Sequence, residues 1–130
     1  MEANEIQIGD WVYSTFSKLP CKVTYLKLHE SGYASVETTN VVGVKDIASL
    51  SPIPLTPESL EKNGFKQIGE KFTRGEIDDD LIEIIPSINN SYRIKVSVAD
   101  LMVSCSIWGS HVHQLQHALR LCGIEKEIVL

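Results

Sequence analysis

Over the first 55 residues, apolar and polar positions alternate in short runs separated by turn signals, a pattern that predicts strands rather than helices. Trp11-Val12-Tyr13-Ser14-Thr15-Phe16 follows the turn Gly9-Asp10 and is rich in aromatic and β-branched residues. Lys22 to Leu28 alternates as a half-buried strand should, and His29-Glu30-Ser31-Gly32 turns the chain into Tyr33 to Glu37. Val41 to Val44 and Ser49 to Ile53 complete a set of short strands with the spacing of a small barrel. The expectation for residues 1–55 is an SH3-like β-barrel lobe.

The pattern then changes. Pro52 and Pro54 interrupt the ladder, and Thr56-Pro57-Glu58 carries the marks of a helix start: a hydroxyl cap, proline at the first helical position and an acid in the first turn. This helix stops at Asn63-Gly64. Phe65 to Ile68 and Lys71 to Thr73 read as strands joined by Gly69-Glu70, and Leu81 to Ile85 with Tyr92 to Val98 reads as a hairpin around Asn89-Asn90. Leu101 to Ile107 reads as another strand. Val112, Leu115, Ala118, Leu119 and Cys122 recur at helical spacing, with Gly123 as the stop, so a core helix is expected from about residue 111 to 122. Leu115, Leu119 and Cys122 should be buried, and Gln116 and Arg120 exposed. The predicted fold class is α+β: an N-terminal SH3-like small β-barrel, then a short helix, an antiparallel sheet and a C-terminal core helix, with 56–130 as the second lobe.

Composition narrows the function. The chain has 130 residues, 43% of them hydrophobic, which suits one soluble globular core and excludes disorder and large multidomain enzymes. Twelve Lys and Arg against seventeen Asp and Glu give a net charge of −5, so bulk binding of nucleic acid is not expected. The basic residues are unevenly spread: only residues 86–130 carry more cations than acids. No apolar run is long enough to span a bilayer, the N-terminus has no signal-peptide pattern, and three widely spaced cysteines suggest neither a disulfide framework nor a zinc ribbon. A cytoplasmic location is the expectation.

His113 and His117 stand at i, i+4 and could chelate, but His111 projects toward the apolar stripe, no third ligand is in view and Arg120 disfavours a cation. No metal and no cofactor are expected. Glu-x-Lys, paired His-x-Ser/Thr and glycine-rich phosphate loops are missing, Cys105 reads as a buried strand residue, and Asp78-Asp79-Asp80 lacks the spacing of a calcium loop, so the chain is not expected to be an enzyme. Binding is better served. Ser110 reads as the cap of the last helix, leaving first-turn amides for an anion, and histidines take the place that acids usually fill. Tyr92 and Trp108 offer flat rings, and Arg74, Arg93 and Lys95 offer phosphate donors. The candidate ligand-binding set is Tyr92, Arg93, Trp108, Ser110, His111, His113 and Arg74.

Three segments carry a resemblance: Ile6-Gln7-Ile8-Gly9-Asp10-Trp11-Val12, the run from Pro52 to Phe65 (PIPLTPESLEKNGF), and the run from Val112 to Gly123 (VHQLQHALRLCG). In this order the chain resembles short uncharacterised proteins of phages and mobile elements of gut bacteria. The resemblance implies a bacterial host cytoplasm and a phage protein that binds rather than turns over a substrate. Two expectations follow. One is an anti-defence protein that sequesters an anionic, nucleotide-derived immune signal of the host. The alternative is a protein- or nucleic-acid-interaction module acting on a host complex. Self-association into a homo-oligomer stays open.

Overall fold

The structure, a computed structural model, describes residues 1–75, 80–98 and 103–130, without the side chains of residues 103–105. Asp78, Asp79, Asp100, Leu101 and the side chain of Cys105 therefore lie outside the described residues. The chain divides into two compact units, Met1–Ile53 and Pro54–Leu130.

The first unit is one antiparallel sheet of five strands: β1 (Trp11–Ser14), β2 (Pro20–Leu28), β3 (Ala34–Thr38), β4 (Lys45–Asp46) and β5 (Leu50–Ser51), in the order β4-β3-β2-β1-β5. The sheet is open rather than closed into a barrel, with β4 and β5 at its edges. Its core holds Ile6, Val12, Cys21, Val23, Ala34, Val36, Ile47 and Leu50. The opening motif serves this core: Ile6 is buried, Gly9 takes a left-handed φ of 92°, and the buried Asp10 carboxylate accepts the Gln7 N–H at 2.8 Å. Burial pushes the Cys21 thiol up from its ordinary value, an effect that its hydrogen bond with Thr38 partly offsets.

Three local expectations fail here for identifiable reasons. In β2 a bulge between Val23 and Tyr25 shifts the register against β3, so the inward phase passes from Val23 to Leu26 instead of alternating throughout. Val41 to Val44 is not a strand. Left-handed Asn40 (φ 66°) and Gly43 (φ 84°) bend it, and Val42 is 95% exposed. Ser49 to Ile53 shrinks to β5, because the Asp46 side chain accepts the Ala48 N–H at 2.8 Å and starts a 3-10 turn over Ile47–Ser49.

The second unit carries α1 (Pro57–Lys62), then β6 (Lys66–Ile68), β7 (Lys71–Arg74), β8 (Leu81–Pro86), β9 (Tyr92–Val98), β10 (Val103–Gly109) and α2 (Val112–Leu121). The five strands form an antiparallel meander in the order β10-β9-β8-β7-β6. The described residues thus form an α+β fold with two antiparallel sheets and two α-helices. Thr56 caps α1 as expected, and Ser59 completes a reciprocal capping box with it. At the other end of α1, the buried Asn63 side chain donates to the Ser59 and Val129 carbonyls and accepts the Val129 N–H, each at 2.7 Å. One amide thereby stops a helix and holds the C-terminal tail, in which Ile124 and Ile128 are buried.

Strand alternation gives this sheet two different faces. Phe72, Ile82, Ile84, Ile94 and Val96 are buried on one side, where α2 lies against β9 and β10. Leu115, Leu119 and Cys122 are buried and Arg120 is exposed, as the spacing predicts. Gln116, expected in solvent, is only 8% exposed, and His113 only 4%. The buried positions Val112, His113, Leu115, Gln116, Ala118 and Leu119 cover roughly 220° of the helix at 100° per residue, far more than a single stripe. A helix sunk this deeply buries the polar residues that flank its apolar ones. Leu119→Ala should cost about 2–5 kcal/mol in denaturant unfolding, the penalty of a leucine cavity that neighbours cannot fill.

Candidate functional site

The start of α2 is built by a side chain reaching backwards. Its flanking residue is His111 rather than the expected Ser110, with extended φ −126° and ψ 153°. Gln114 Oε1 accepts the N–H groups of Ser110 at 2.8 Å and His111 at 3.1 Å, the second of which belongs to the amides after Ser110 that the sequence offers to an anion. Gly109 makes this possible: a Cβ there would stand 2.9 Å from Gln114 Oε1 and 3.0 Å from its Cβ. The helix start is also tied to the start of α1. Leu55 N–H donates to the Ser110 carbonyl at 2.8 Å, and Pro54 pairs with His111 in an antiparallel bridge.

This arrangement opens a cleft of about 400 Å³. Pro54, Leu55, Thr56 and Pro57 form one wall, Ser110 and His111 another, and Tyr92 with Asn89 and Asn90 the third. Asn89 and Asn90 both sit at φ 58°, a left-handed conformation that asparagine tolerates better than most side chains. They turn β8 into β9 and hold their side chains exposed at the rim.

The seven residues singled out from sequence do not form one site. Tyr92, Ser110 and His111 share the cleft. Arg93 and Trp108 face each other across β9 and β10, and by alternation they point to the opposite side of the sheet from buried Ile94. Arg93 Nε donates to Ser106 Oγ at 2.9 Å on that side. Arg74 ends β7, with its guanidinium 3.7 Å from the position a Cβ on Gly64 would occupy. His113 is inside the unit, between the rings of His111 (centroids 5.7 Å apart) and His117 (5.6 Å), and is not on a solvated helix face.

Sequence reasoning misses Pro54 to Pro57, Asn89 and Asn90 as lining residues. The proline run reads as a strand break and the asparagines as a turn, and both readings are correct. The long-range bridge between Pro54 and His111 brings the proline run to the start of α2, and the pairing of Tyr92 with Gly109 brings the asparagine turn there.

Comparison with protein-family models, with curated proteins and with solved structures gives no match to this chain. No helix among the described residues is long and apolar enough to cross a membrane. Nor do the described residues contain a group of three or more His, Cys, Asp or Glu side chains able to hold a metal ion. The His113 ring contacts the rings of His111 and His117. With no third ligand legible in the sequence beside His113 and His117, incubation with EDTA should leave the thermal midpoint unchanged, and stoichiometric zinc in protein purified without a histidine tag would contradict this.

Proposed function

We propose that the protein is a non-catalytic binding protein whose cleft between the starts of α1 and α2 takes a small, anionic, ring-bearing ligand of nucleotide type. The observation that carries this reading is the cleft itself. The bridge sets Pro54 to Pro57 against Ser110 and His111, and the pairing of β8, β9 and β10 brings Tyr92 with Asn89 and Asn90 beside them, around a volume of about 400 Å³, within the range of small-molecule sites. Tyr92 and His111 supply rings for a base, Ser110 and the two asparagines supply neutral hydrogen-bonding groups, and the dipole of α2 adds a positive partial charge at its start, although Gln114 takes the Ser110 and His111 N–H groups there. Such a lining suits retention of a ligand without turnover. Together with the resemblance to phage proteins, it supports an anti-defence role in the bacterial host cytoplasm, sequestering a nucleotide-derived immune signal. We further assign the first unit to the SH3-like class in an open form. The support is the position of β5 beside β1 and the 3-10 turn Ile47–Ser49 directly before β5. The second reading, an interaction module, draws on other residues: Arg93 and Trp108 on the far face of the sheet.

Calorimetry across cyclic nucleotides and ADP-ribose derivatives tests the cleft. A ligand should bind, and His111→Ala and Tyr92→Ala should each lose about 1–3 kcal/mol of binding, the scale of one well-placed polar or ring contact, with thermal midpoints retained. Trp108→Ala should bind normally. Absence of binding across the panel, or loss in Trp108→Ala with His111→Ala unaffected, overturns the proposal.

A further inference from the structure

The face of the second sheet that points away from α2 forms an ordered surface. Strand pairing lines up Ile68 with Lys71, and Ile85 with Arg93 and Trp108. Phe72 lies opposite Ile84, so Lys71 falls beside Ile85 and the five residues make one row across all five strands. In this row apolar and cationic side chains alternate. Trp108 is 64% exposed and Ile68 59%. The next row out is Lys66, Thr73, Glu83, Lys95 and Ser106.

Charge on this face runs against the rest of the chain. The protein carries −5 overall, yet the outward side chains of these strands include Lys66, Lys71, Arg93 and Lys95 with Glu83 as their one carboxylate. Glu83 is itself engaged by Lys71 Nζ at 2.9 Å. Arg93 is braced by Ser106 directly beside the exposed indole, so a cation and a flat ring share one end of the row.

We propose that this sheet face binds single-stranded nucleic acid. Unpaired bases can lie flat on Trp108 without needing a pocket, while Arg93, Lys71, Lys95 and Lys66 track the phosphates across the strands. At about 4.8 Å per strand the row spans roughly 19 Å, room for a short stretch of nucleotides. A duplex hides its bases from such a surface, and the acidic remainder of the protein repels bulk polyanion, so binding is local and favours single strands. The face uses none of the cleft residues, so its fate and that of the cleft are independent.

The test is fluorescence anisotropy with a fluorescein-labelled oligodeoxythymidine of about 15 nucleotides, a length that covers the face. Binding should weaken with salt, with a log–log slope of about −2 to −3 if three or four phosphates are neutralised. Trp108→Ala and the double variant Arg93→Gln/Lys95→Gln should each weaken binding about tenfold or more. The variant Arg120→Gln/Lys126→Gln removes as many cations elsewhere and should bind normally. In Trp11→Phe, where Trp108 is the sole tryptophan, emission should be quenched as the oligonucleotide is added. Absence of binding at about 50 mM salt, equal loss in both double variants, or preference for a poly-glutamate peptide over the oligonucleotide overturns the proposal.

Discussion

A hydrogen bond from Leu55 N–H to the Ser110 carbonyl, with Pro54 and His111 paired beside it, joins two stretches more than fifty residues apart in sequence. Much of the geometry around the candidate cleft depends on this short bridge. Proline cannot donate to a ladder, so the pairing stops after one step and the chain is free to begin α1 at once. On the other strand, Gly109 lets Gln114 fold back over the backbone and satisfy the two donors just before α2. The bridge thus fixes two helix starts side by side. The cleft is the space left between them and the β8–β9 turn.

The sheet separates two chemistries that the sequence places next to each other. Tyr92 and Arg93 are neighbours in the chain, but a strand sends successive side chains to opposite faces. Tyr92 joins the cleft near α2, and Arg93 joins Trp108 and the lysines on the open side. The two proposed binding surfaces, the cleft and the open sheet face, are therefore separated by the same pleat. Residues on one surface can be altered with little expected effect on the other.

Local chemistry is legible in the sequence wherever a short motif decides structure. Thr56-Pro57, Asn63-Gly64, the β8–β9 turn at Asn89-Asn90 and the apolar spacing of α2 all mark their elements correctly. Long-range placement is not legible there. Nothing near His113 or Gln116 in sequence signals that α2 is covered over more than half its circumference, and nothing near Thr24 signals the bulge that changes the phase of β2. The candidate site is legible only in part. Strand alternation by itself separates Arg93 from Tyr92, a signal contained in the sequence pattern. The contribution of Pro54 to Pro57 depends on the bridge, which no local pattern encodes.

Native-state hydrogen exchange at the Leu55 amide tests the bridge most directly, because that N–H is exposed to solvent whenever the two helix starts part. If the bridge is an integral part of the fold, the Leu55 amide should be protected to the same degree as the buried amides of Ile94 and Val96 and should open only with the whole unit. Exchange as fast as at Val42, which is 95% exposed in irregular backbone, would mean that the helix starts move apart freely, and the cleft would then not be a preformed site.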